Sequence, residues 1–140
     1  MDRDSNEFEA ACHCGTVRFS VRLRDGLSSA RRCNCSYCRM RGAVGVTADL
    51  DGITIREGAD SLSVYQFNTG AAKHYFCSRC GIYTHHQRRS NPREFGVNVA
   101  CLEGVSPFDF AEVPVYDGVQ HPSDSGVSRV AGVLRYTSNT

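Results

Sequence analysis

The chain has 140 residues, 41% of them hydrophobic and 22% charged, with a net charge of +1. That length fits one domain over 1–140 that buries about 65–70% of its unfolded surface and needs no cross-links merely to fold. The near-neutral charge argues against a sequence-independent grip on nucleic acid, which needs many uncompensated cations, and no apolar run approaches the ~20 residues of a membrane span.

The first seven residues are polar and lack the apolar stretch of a secretory signal, so a cytoplasmic setting with reduced thiols is expected. In such a setting CxC and CxxC spacings point to metal rather than to disulfides. Cys12-His13-Cys14-Gly15 comes first, and Val17, Phe19 and Val21 then share one face of a strand by period-two alternation. Cys33-Asn34-Cys35-Ser36-Tyr37-Cys38-Arg39 follows, with a turn or two of helix expected over 37–41, before Gly42. Ile53 and Ile55 mark a strand after Asp51-Gly52. Further strands are predicted over 64–67, 73–76 and 82–86, with Asn68-Thr69-Gly70 as a hairpin turn between the first two. Strands over 97–100 and 130–136 complete the set, and 106–128, with Pro107, Pro114 and Pro122, reads as surface loop with a short strand at 113–116. Many short strands between Gly, Asp, Asn and Ser, and little helix, make an all-β domain whose motifs lie within about 10–105.

Seven of the eight cysteines fall into three clusters. The arithmetic gives one complete four-thiolate site and one site a ligand short. A zinc closed by four protein ligands is structural, whereas three protein ligands leave a position for water or substrate. Cys12-Cys14 and Cys77-Cys80 form two knuckles about sixty-five residues apart, each followed by a glycine that permits a positive φ. Together they make one structural zinc site. Zinc-thiolate binding of about 10–16 kcal/mol rivals the stability of a whole domain, so losing one of these ligands should be a folding defect.

Cys33, Cys35 and Cys38 can face one ion only if the backbone wraps around it, and that segment holds no fourth candidate. Asn34 and Ser36 are candidates to orient the sulfurs by hydrogen bonds. The alternative is a second closed zinc, completed by Cys101 or by one of His74, His85 and His86. Cys101, in an apolar strand, reads as a small buried hydrophobe. His85 and His86 are adjacent on a strand, so they point to opposite faces and cannot both serve one site; one of them is a candidate acid or base. His13 and His121 read as structural.

Lys73 is the only lysine, and Arg31, Arg32, Arg39 and Arg41 flank the middle cluster. These arginines are either a solvated basic loop or the holders of an anionic substrate. A zinc with three thiolates carries a formal charge of −1, which makes it a weak Lewis acid, poorly suited to producing hydroxide at neutral pH. It suits a soft fourth ligand such as a substrate thiolate, fixed for attack on, or departure from, a carbon centre. Such a site suits thiol addition to an aldehyde, or cleavage of the resulting hemithioacetal.

Three segments carry a resemblance: Cys12-His13-Cys14-Gly15-Thr16-Val17-Arg18-Phe19, Cys33-Asn34-Cys35-Ser36-Tyr37-Cys38-Arg39 with Gly42, and Phe76-Cys77-Ser78-Arg79-Cys80-Gly81. In order, spacing and flanking residues they resemble the signatures of the glutathione-dependent formaldehyde-activating enzyme family. The resemblance implies a β-tent fold with two zincs per chain, a structural one on Cys12, Cys14, Cys77 and Cys80 and a catalytic one on Cys33, Cys35 and Cys38. It implies a carbon-sulfur lyase or synthase that forms S-hydroxymethylglutathione from formaldehyde and glutathione. This chain has Asn34 where the family often has His. Two other function classes fit the cysteine pattern: a non-catalytic zinc-binding interaction module on the same scaffold, and a redox sensor in which the middle cluster stays metal-free and cycles through a disulfide.

Overall fold

The computed structural model describes residues 6–67, 70–119 and 129–139. Residues 68 and 69 of the expected turn, His121, and the end of the expected 106–128 loop lie outside the described residues. Ten strands and one short α-helix are described: β1 (Glu7–Ala11), β2 (Arg18–Leu23), β3 (Arg32–Cys33), α1 (Ser36–Arg41), β4 (Gly45–Glu57), β5 (Leu62–Tyr65), β6 (Lys73–Cys77), β7 (Tyr83–Gln87), β8 (Glu94–Asn98), β9 (Glu112–Tyr116) and β10 (Val130–Arg135). A seven-stranded antiparallel sheet runs β1-β2-β4-β8-β7-β6-β5, and a three-stranded mixed sheet runs β10-β9-β3, its β3-β9 pair parallel. With the four-cysteine cluster described below, this is a predominantly β, β-tent-like architecture.

The alternation read from the sequence builds the core. Phe19, Val21 and Leu23 of β2 are buried while Arg18 and Arg22 face out, and Val17, Val46, Val97 and Val99 pack with them from neighbouring segments. Ile53 and Ile55 add their half-buried faces to that cluster. Asp51-Gly52 does not precede a strand; it lies inside β4, where the register with β2 jumps from Leu23–Ala48 to Val21–Ile53. Gly52 permits this bulge because a Cβ there would come within 2.7 Å of the Arg22 carbonyl oxygen.

The strand expected over 97–100 ends early. Asn98 Oδ1 accepts the Ala100 amide at 3.1 Å and its Nδ2 donates to the Tyr83 carbonyl at 2.8 Å, which turns 99–101 into a 3-10 turn. Cys101 therefore sits on a buried turn, not on a strand, and its thiol reaches the Tyr83 carbonyl at 3.5 Å.

Two adjacent strands matter most for the site. In the β6-β7 ladder His74 pairs with His86 and Tyr75 with His85, so the histidines divide between the two faces of the sheet. His85 packs among Phe19, Tyr75 and Phe95, and His86 stacks on His74 with ring centroids 5.0 Å apart.

Candidate metal centres and the adjoining cavity

The two knuckles meet. Cys12 and Cys14 follow β1, Cys77 ends β6, and Gly15 and Gly81 adopt φ of 79° and 78°, turning the chain back after each pair. Cys12 and Cys14 sulfurs are 3.7 Å apart, and Cys14 and Cys77 sulfurs 3.8 Å. A disulfide holds its sulfurs at about 2.05 Å. Four thiolates at about 2.3 Å from a zinc lie about 3.8 Å apart along each tetrahedral edge, so this spacing fits a metal. Backbone amides already point at the sulfurs: Val17 N–H at Cys12 and Arg79 N–H at Cys77, both at 3.3 Å. The Thr16 hydroxyl, 3.1 Å from Cys14 Sγ, helps to hold that thiol down at about 6.

Cys33, Cys35 and Cys38 also converge, their sulfurs all within 4.8 Å of one another. Cys33 ends β3 and Cys35 caps α1, accepting the Cys38 amide at 3.3 Å, so one strand end and one helical turn wrap the trio. No other described Cys, His, Asp or Glu places a ligand atom within that cluster. The residues expected as a fourth ligand go elsewhere: Cys101 lies towards Cys12 and Cys80, with burial pushing its thiol up to about 12, and His74 Nδ1 is engaged by Arg41 at 3.0 Å.

The expectation that Asn34 and Ser36 orient the sulfurs is corrected. Asn34 Oδ1 instead accepts the Gly118 and Val119 amides, at 2.8 and 3.2 Å, and the sulfurs take donors from the Cys35 and Cys38 amides and from Arg41 Nη2, which is 3.4 Å from Cys38 Sγ. Without a cation, three crowded sulfurs cannot all ionise: hydrogen bonds from Cys33 and Cys38 hold Cys35 low, and the same contacts raise Cys33 and Cys38. Such a cluster of soft donors fits a thiophilic cation.

The trio opens onto a cavity of about 490 Å³. Arg31, Arg32, Arg39 and Arg41, singled out in the sequence, all line it, and Arg88 and Arg89 join them from the segment after β7. Asp117 is the one carboxylate among the described lining residues, and Arg129 pairs with it at 2.9 Å. Arg88 is itself committed, 2.9 Å from the buried Glu94 and 2.7 Å from Thr47 Oγ1. The cavity is strongly basic.

Its lining also carries residues that the spacing of the sequence did not single out together: His74, Tyr83 and His86. The Tyr83 hydroxyl lies 2.6 Å from His86 Nδ1 and 3.2 Å from the Gly96 carbonyl, and burial pushes it up to about 12. Gly96 leaves room for the His86 ring, which a Cβ would strike. Desolvation lowers His74 to about 4 and His86 well below its ordinary value, so both are neutral imidazoles at pH 7. The β6-β7 register pairs His74 with His86, and the irregularity in that ladder between Tyr75 and Phe76 brings Tyr83 to the same side, an arrangement that local spacing does not encode.

Comparison with known proteins places this architecture. The family model described as "Glutathione-dependent formaldehyde-activating enzyme" matches residues 7–113. A Halomonas elongata protein named "Putative glutathione-dependent formaldehyde-activating enzyme" is 36% identical over 81 residues, which span 51% of this chain and 50% of that protein. The chain thus matches about half the length of that curated relative. A crystal structure of a Rhodobacter sphaeroides protein superposes with a TM-score of 0.75 at 58% identity, covering 76% of this chain and 98% of the other. The family match runs from β1 into β9 and takes in both cysteine clusters, and the chain belongs to the glutathione-dependent formaldehyde-activating enzyme family.

Proposed function

We propose that the protein is a zinc-dependent carbon-sulfur lyase or synthase acting on a thiol-aldehyde adduct of the S-hydroxymethylglutathione type. In this reading Cys12, Cys14, Cys77 and Cys80 hold a structural zinc, and Cys33, Cys35 and Cys38 hold the catalytic one. The observation that carries it is the sulfur trio, which faces a basic cavity and gains no fourth ligand from the described chain. A zinc bound there supplies a soft coordination position that lowers the pKa of an incoming thiol.

The protein's own residues do the rest. Guanidinium groups around the cavity receive the carboxylates of an anionic thiol such as glutathione, and orient it so that its sulfur meets the trio. The walls formed by Tyr83, His86 and residues 116–119 restrict water around the reacting centre. The reaction balances without an oxidant: sulfur and aldehyde carbon form one bond, the carbonyl π pair moves to oxygen, and the proton lost by the thiol ends on that oxygen.

Exchange NMR on mixtures of formaldehyde and glutathione tests the reading. Zinc-loaded protein is expected to speed interconversion above the spontaneous rate, and folded Cys35→Ser protein is not. A wild-type rate equal to the spontaneous one removes the enzyme reading in favour of a zinc-binding interaction module.

A further inference from the structure

Arg41 joins the sulfur trio to the histidine wall. From the last turn of α1 its Nη2 approaches Cys38 Sγ at 3.4 Å and its Nη1 lies 3.0 Å from His74 Nδ1, while the guanidinium sits 3.7 Å from the centroid of the Tyr83 ring. Arginine has only donors, so His74 Nδ1 must be the acceptor of that bond. A neutral imidazole that accepts at Nδ1 carries its proton on Nε2. The tautomer is thus set by Arg41, not left to chance.

Nε2 of His74 has no hydrogen-bond partner among the described residues. It is not sealed off either, since Arg41 Nε is the one described side-chain nitrogen or oxygen that is both buried and unpartnered. His74 lines the cavity, and its ring packs against three others: Tyr37 at 4.6 Å, Phe67 at 5.7 Å and His86 at 5.0 Å between centroids. Elsewhere on this wall His86 Nδ1 is engaged by Tyr83, and the Tyr83 hydroxyl lies between His86 and Gly96. His74 therefore offers the cavity that it shares with the trio a fixed N–H that no described residue engages.

We propose that His74 is a catalytic hydrogen-bond donor: locked by Arg41 with its proton on Nε2, it donates that N–H to the aldehyde-derived oxygen as the carbon-sulfur bond forms or breaks. The inference rests on the lyase reading above and adds to it the group that stabilises the developing negative charge. His74 keeps its proton throughout and acts as an oxyanion donor, not as a general base. Arg41 acts through His74 and is a positioning residue.

Long-range proton-nitrogen NMR of the imidazoles, with exchange kinetics on variants, tests this. The zinc-loaded protein should show His74 protonated on Nε2 only, and formaldehyde with glutathione should shift that N–H resonance. Arg41→Met should return His74 to a mixture of tautomers. His74→Phe, which keeps the aromatic packing, should lower kcat about 100-fold with the KM for glutathione within about twofold. His74→Gln, whose amide N–H can stand near the Nε2 position, should recover at least tenfold of that loss. A protonated Nδ1, or unchanged turnover in His74→Phe, overturns the proposal. If the wild type shows no turnover, the lyase reading falls by itself and the Nε2–H resonance decides the inference: a shift on adding formaldehyde with glutathione supports the donor, and no shift overturns it.

Discussion

Asn34 and Gly118, eighty-four residues apart, clasp each other beside the sulfur trio, the Gly118 amide donating to Asn34 Oδ1 at 2.8 Å. The clasp brings backbone where no side chain would fit. A Cβ at residue 118 would collide with Cys33 Sγ and come within 2.7 Å of Cys35 Cβ. Gly118→Ala is therefore expected to push the trio apart or lift the 116–119 segment, weakening metal at the middle site about 10- to 100-fold. The four-cysteine site should be untouched. Chelator competition, following the two metals separately, measures both.

The two cysteine clusters should respond differently to loss of one sulfur. Cys77 is fully buried at the end of β6 and joins the first strands to the middle of the chain, so with zinc held there as proposed Cys77→Ser would remove binding energy on the scale of the whole fold. The expected result is misfolded protein, seen as collapsed amide dispersion. Cys35→Ser should stay folded while losing one zinc and any activity. An unfolded Cys35→Ser would make the middle site structural.

His85 adds a pH dependence to stability. It is buried among aromatic rings, and desolvation lowers it to about 4 from an ordinary 6.5. Because the unfolded chain takes up the proton more readily, its contribution is complete above pH 6.5 and is lost as the pH falls towards 4, by at most roughly 3 kcal/mol. Urea unfolding of wild type and His85→Phe at equal zinc loading isolates it. The wild-type stability should fall more steeply over that window, and parallel curves would contradict this account.

Much of this was legible because it is local. Period-two alternation found β2, β6, β7, β9 and β10 to within a few residues, and the CxC-Gly and CxxC-Gly spacings announced knuckles whose glycines do adopt positive φ. The short helix over 37–41 also formed, beginning one residue earlier at Ser36. What escaped depends on partners far along the chain. β3 is two residues long and exists because β9 lies beside it, and β8 stops at Asn98 because that side chain bonds back to Ala100 and across to Tyr83. Arg88 and Arg89 reach the cavity through a ladder register that local pattern does not encode. His74 is the clearest case, since its role follows from Arg41, thirty-three residues earlier.

The central claim is that the ion held by Cys33, Cys35 and Cys38 accepts a ligand from outside the protein. A crystal structure of the zinc-loaded protein soaked with glutathione tests it most directly. The account predicts a glutathione sulfur about 2.3 Å from the middle zinc, with its carboxylates among the cavity arginines. A middle zinc whose fourth ligand is a side chain of this same polypeptide, with glutathione absent, would contradict it.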